Sequence, residues 1–244
     1  MNGMSASPAK AAPAETHQRT ILVWDVPTRL FHWLLVLSFG GAYLTAESES
    51  WRLLHVTLGY TMALLVGFRI LWGVVGSRHA RFATFVRGPG AVAAYLRTLL
   101  QGRPKHYTGH NPAGAVASVG LLALALAVSA SGYAAYNDLA GDWVQELHEV
   151  TANLMLAIVG VHIAGVLLAS WLHRENLVGA MFTGRKQGAP EDGIRRAWRG
   201  VAALLLMAVL ALWWVQGQSA LQSGNLADRP VPATRAAGHD RDND

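Results

Sequence analysis

The residues of this 244-residue chain best placed to do chemistry are four histidines set in apolar surroundings: His32, His55, His148 and His162. Two share one stretch, WVQELHEVTANLMLAIVGVHIAGVLLASWLH, from Trp143 to His173, where His148, Glu149 and His162 are the only ionisable residues between Leu147 and Leu172. In a helix, a spacing of fourteen puts two side chains within about 40° of one face and about 21 Å apart along the axis. Both imidazoles then look toward the same neighbours, one near each end of a hydrocarbon core. An ionisable group inside a membrane is costly and calls for a named partner. A neutral imidazole is a metal ligand, and haem is a flat, apolar metal carrier that fills space between helices. The plainer alternative for this helix alone is one histidine capping at the interface and one hydrogen-bonding to a neighbouring helix.

Matching ligands require other helices at the right depth, and the composition supplies them. With 52% hydrophobic and 14% charged residues, the chain lies well outside the range of soluble domains, and its apolar residues come in blocks. It reads as an all-α integral membrane protein. There is no cysteine, which excludes disulfides, thiolate-held clusters and covalently attached haem. The net charge of +5 does not indicate nucleic acid, because the basic residues gather on one side of the spans.

The first apolar segment, about Leu30 to Ala46, has His32 in its first turn. The second, Trp51 to about Gly76, has His55 near its start. The connection from Ser77 to Asn111 contains Arg78, Arg81, Arg87, Arg97, Arg103 and Lys105 and no acidic residue, so it is cytoplasmic by the positive-inside rule. Within it, Pro89 to Leu100 has a helical apolar pattern, suited to the membrane surface or to a solvated loop. A third helix, about Ala113 to Ala134, is rich in Ala, Leu and Val with small residues interspersed. The next connection carries Asp138, Asp142 and Glu146 without Lys or Arg, and belongs outside. After the Trp143–His173 helix, a basic stretch leads to a fifth helix, about Val201 to Gln216. The expected organisation is a disordered cytoplasmic arm (1–20), a four-helix core (21–184), a basic cytoplasmic linker (185–199), a fifth transmembrane helix (200–217) and a disordered periplasmic tail (218–244). The N-terminus lies inside and the C-terminus outside.

That topology fixes the depth of each histidine. His32 and His162 fall at the inner level, His55 and His148 at the outer level, giving two matched pairs and two haem sites. His17 and His239 fall in the termini and His79, His106 and His110 in the basic loop. His173 lies about 16 Å beyond His162 by helix rise, among headgroups. Arg69 sits fourteen residues after His55 on nearly the same face; it either pairs with a carboxylate of the inner haem or snorkels to headgroups. Gly59, Gly160 and Gly165, close to ligand positions, either make room for a porphyrin or serve helix packing. Glu149 either tunes the outer site or favours the helix N-terminus.

The motifs WDVPTRLFHW (24–33), LHVTLGY (54–60), FRILWG (68–73), RHARFATFVRGP, GHNPAG and LHEVTANLMLAIVGVHIAG (147–165) together resemble those of the bacterial cytochrome b561 and nickel–iron hydrogenase b-type cytochrome family, which includes the formate dehydrogenase membrane subunit. The likeness covers roughly Val23 to Gly184. It implies a four-helix core with two non-covalent b haems, with His32, His55, His148 and His162 as axial ligands. It further implies electron transfer across the bacterial inner membrane between quinone and an outer partner such as a c-type cytochrome, a hydrogenase or another dehydrogenase. Superoxide oxidation coupled to quinone reduction is a further activity known in the b561 group. Arg29, Arg78 and GHNPAG lie on the side where the resemblance places quinone. The fifth helix lies beyond what the resemblance covers. A rival class is a haem-free transporter or anchor subunit whose histidines bind protons or a divalent metal.

Overall fold

The computed structural model describes residues 19–101 and 107–227. In chain order they form β1 (Arg19–Leu22), α1 (Val26–Thr45), a 3-10 turn (Glu49–Trp51), α2 (Arg52–Val75), α3 (Phe82–Phe85), α4 (Pro89–Leu100), α5 (Pro112–Tyr136), α6 (Trp143–His173), α7 (Leu177–Thr183), β2 (Arg185–Gly188), a second 3-10 turn (Pro190–Asp192) and α8 (Arg199–Ala227). Capping chemistry sets two of the long-helix starts. Asp25 accepts the amide of Thr28 at 2.7 Å and Pro27 enters the first turn, so α1 begins ahead of its apolar run at Leu30. Asn111 does the same for α5, accepting from the Gly114 amide at 2.7 Å with Pro112 as the first helical residue.

The long helices pack in series, α1 on α2, α2 on α5 and α5 on α6. Phe39, Met62, Val66, Ala125, Val128 and Met155 form the core they share. The ends of that series, α1 and α6, do not pack closely on each other; Tyr43 Oη spans the interval by donating to Asn153 Oδ1 at 2.9 Å. On the far side, α8 lies against α1 and α2, where Leu205 and Val209 meet Phe31 and Leu65. Trp213 Nε1 donates to the buried Thr61 Oγ1 at 2.9 Å. Among the described residues four helical stretches are long and apolar enough to cross a membrane: Glu49–Val75, Pro112–Tyr136, Trp143–His173 and Arg199–Leu221.

Three boundaries differ from those expected. Residues 185–199 are no loose linker: β2 pairs antiparallel with β1, Arg19 opposite Gly188 and Leu22 opposite Arg185. Lys186 is buried, with Nζ 3.1 Å from Glu175 Oε2 and donating to the Tyr107 carbonyl at 3.3 Å. Trp198 meets Trp72 edge-on at 5.5 Å. Arg19 and Thr20, placed in the disordered arm by the sequence reading, belong to that ribbon; the rest of the arm lies outside the described residues, as do His17, His106 and His239. The fifth helix runs on past Gly217 to Ala227, and the tail from 228 onward lies outside the described residues.

Candidate functional site

The four histidines fall into two pairs between the long helices. At one end the rings of His55 (α2) and His148 (α6) stand 6.2 Å apart, centre to centre, at 86°. His55 Nδ1 lies 2.8 Å from the Ala42 carbonyl and His148 Nδ1 lies 3.0 Å from the Val128 carbonyl. A carbonyl can only accept, so each Nδ1 carries the proton and donates it. Each Nε2 is left with a free lone pair, the tautomer a metal ligand needs.

At the other end, His32 (α1) lies within electrostatic range of His162 (α6). His32 Nδ1 is enclosed with no hydrogen-bond partner. The structure sets His55 beside His148 and His32 within electrostatic range of His162, the partners that the expected depths assign. All four rings are half-buried. A Cβ placed on Gly59, Gly160 or Gly165 would meet nothing within 4 Å, so there is open space beside the ligand positions. Glu149 is exposed.

Arg69 does not snorkel. It is 6% exposed, its Cζ lies 4.8 Å from the centre of the Phe82 ring, and the buried carboxylate of Asp25 is its charged neighbour. Phe82 reaches this position because residue 73 is glycine: a Cβ there would stand 2.0 Å from the Phe82 ring. Arg69 Nη1 remains enclosed and unpartnered, a cationic donor without an acceptor. Thr28 Oγ1, Arg29 Nε, Ser77 Oγ and His110 Nδ1 are likewise enclosed and unpartnered. Ser129 Oγ and Glu175 Oε1 are in the same position, and such groups are costly to bury without a partner.

Three participants were not singled out by the sequence. Asp25, fully buried, accepts from Trp72 Nε1 at 3.1 Å as well as from its own helix, so it locks the start of α1 to the last turn of α2 and places a carboxylate near Arg69. Phe82 supports the Arg69 guanidinium. His110, expected only as a residue of the basic loop, has its ring 4.8 Å from that of Trp24 and 4.4 Å from that of Phe85. Burial, reinforced by the charges of Arg69, His79, His162 and Lys186, pushes its pKa down to about 3. His79 is held as well, donating from Nε2 to the Asp192 carbonyl at 2.8 Å. The available signal was the Asn111–Pro112 cap, which pins the preceding residue to a helix end.

A pair of imidazoles and a buried cation with a free N–H fit the donor set of a b haem with its carboxylates. Among the described residues no group of three or more His, Cys, Asp or Glu converges on one point, so each pair offers two ligands, as many as a porphyrin iron accepts from protein.

Comparison with known proteins agrees. The chain is 27% identical to the probable Ni/Fe-hydrogenase B-type cytochrome subunit of Azotobacter vinelandii, in a match covering 68% of this chain and 88% of that protein. Its counterpart from Rhizobium leguminosarum bv. viciae is 24% identical, covering 69% and 90%. That of Azotobacter chroococcum mcd 1 is 31% identical, covering 53% and 66%. No solved structure matches significantly. The family model described as prokaryotic cytochrome b561 matches residues 23–184, the stretch that contains all four histidines and Arg69, and the chain therefore belongs to the prokaryotic cytochrome b561 family.

Proposed function

We propose that this protein is a diheme b-type cytochrome that carries electrons across the bacterial inner membrane between a periplasmic redox partner and the quinone pool. The observation that carries this reading is the pair of histidine sites along α6, with His148 beside His55 and His162 near His32. Bound haem supplies a one-electron iron couple that needs no proton at the metal. The chain's part is to hold the ligands. His55 and His148 keep their Nε2 lone pairs directed away from the carbonyls of Ala42 and Val128. Arg69 offers Nη1 to a haem carboxylate at the His32–His162 level, and the glycines leave the space beside the rings open.

Charge orients the protein. Glu47, Glu49, Asp138, Asp142, Glu146 and Glu149 lie at the His55–His148 end against Arg52 alone, whereas Arg78, Arg81, Arg87, Arg174, Arg185, Lys186, Arg195, Arg196 and Arg199 outnumber Glu175, Glu191 and Asp192 at the other. The basic end faces the cytoplasm, and the helix α1, at 20 residues about 30 Å long, crosses beside α2 as the first of five spans. The quinone pool is met at the His32–His162 level and the periplasmic partner at the His55–His148 level. The names of the relatives favour a hydrogenase as that partner, and a basic c-type cytochrome would suit the same acidic end. The chain is then the membrane electron-transfer subunit of a respiratory oxidoreductase.

Purified protein is expected to show the reduced-minus-oxidised spectrum of six-coordinate b haem with two haems per chain, and His55→Ala and His162→Ala should each remove one. Colourless protein, or two haems retained in both variants, overturns the reading.

A further inference from the structure

Helix α5 carries no histidine, yet it makes close contact with one. His148 lies against it, with Nδ1 3.0 Å from the Val128 carbonyl and 3.3 Å from Ser131 Oγ. Ser131 is buried, and its hydroxyl reaches the carbonyls of Ala127 at 2.8 Å and Val128 at 3.2 Å. Those oxygens can only accept, so the hydroxyl proton points down its own helix and an oxygen lone pair faces the imidazole. The single N–H of His148 is therefore shared between a carbonyl and a hydroxyl of α5.

The next residue supplies the seat. A Cβ on Gly132 would stand 2.8 Å from His148 Cε1, 3.1 Å from Nδ1 and 3.6 Å from Nε2. The ring occupies the place where a side chain would be. This is not a general property of the glycines of α5, since a Cβ on Gly120 would meet nothing within 4 Å.

We infer that Ser131 and Gly132 are positioning residues that fix the orientation of the His148 imidazole and, through it, the electronic character of the haem bound at that end. The inference rests on the diheme reading above. A hydrogen bond accepted from Nδ1–H increases the electron density on Nε2, which favours the oxidised iron and holds that haem's potential down. A methyl group at residue 132 must displace the ring, because the atoms it meets belong to a ligand held from two sides. The competing explanation is structural: Gly132 as a packing glycine and Ser131 as a hydroxyl satisfied by its own helix, with no selective effect on one haem.

The test is redox potentiometry and low-temperature electron paramagnetic resonance on the purified, haem-loaded full chain, comparing wild type with Gly120→Ala, Ser131→Ala and Gly132→Ala. Gly120→Ala is expected to keep both midpoint potentials. Ser131→Ala should keep both haems and raise one midpoint. Gly132→Ala should shift or abolish the low-spin signal of that same haem and leave the other in place. The affected haem is identified in a His55→Ala background, which lacks it and in which Ser131→Ala should then change nothing. Unchanged midpoints and signals in both variants overturn the inference, and so does an equal disturbance of the two haems by Gly132→Ala. If Gly132→Ala fails to accumulate, Ser131→Ala decides alone, since it only removes one oxygen atom. A wild-type protein without haem refutes the diheme reading itself, whereas two haems with an unresponsive Ser131 refute only the inference.

Discussion

Arg69 shows at the level of single residues how a buried charge is kept in a membrane protein. Its guanidinium rests on Phe82, has Asp25 as a charged neighbour, and keeps Nη1 free of any protein acceptor. If that N–H holds a haem carboxylate, Arg69→Gln removes a positive charge from the immediate surroundings of one haem. Its midpoint potential is then expected to fall while that of the other is unchanged, as read by potentiometric titration. The protein should also bind that haem less tightly, since a charge-assisted hydrogen bond contributes about 1.5–3 kcal/mol. An unchanged pair of potentials would show that Arg69 serves packing alone. The four histidines were legible in the sequence because helical period and loop charge together assign each a face and a depth. His110 was not, because its burial comes from Trp24 and Phe85, contacts that neither period nor hydropathy encodes.

Among the elements, the long helices announce themselves by apolar runs, but their ends are set by polar residues that a hydropathy reading passes over. Asp25 starts α1 ahead of its apolar segment, and the same carboxylate ties α1 to α2 through Trp72. The β1–β2 ribbon had no comparable signature. RTIL and RKQG are four residues each, too short to display a period, and pairing across the fold decides their conformation. The turn between α7 and β2 depends on Gly184, which has φ of +78° and whose carbonyl accepts the amides of Val23 and Trp24 at 2.8 and 3.0 Å. A Cβ there would stand 2.5 Å from the Trp24 carbonyl oxygen. Gly184→Ala should therefore destabilise the protein by about 1–2 kcal/mol from backbone conformation alone, and by more from the contact with Trp24. A lowered midpoint of thermal unfolding, with haem content retained at low temperature, is the expected result.

For the whole molecule, the separation of charge between the two ends of the bundle is the basis of the proposed orientation in the membrane. If the C-terminus lies outside, as the proposed topology requires, an alkaline phosphatase fused after α8 should be active and the same enzyme fused after Arg87 inactive; the reverse pattern would turn the two histidine levels over. The ribbon carries a consequence for how such a chain is made. β1 and β2 lie immediately outside the stretch matched by the family, residues 23–184, so they bracket the core at its first and last residues. β1 emerges early from the ribosome and its partner only after every core helix has been synthesised. A chain interrupted anywhere before Arg185 keeps β1 as an unpaired strand with open backbone donors and acceptors. Completion of the ribbon thus distinguishes a finished core from an interrupted one.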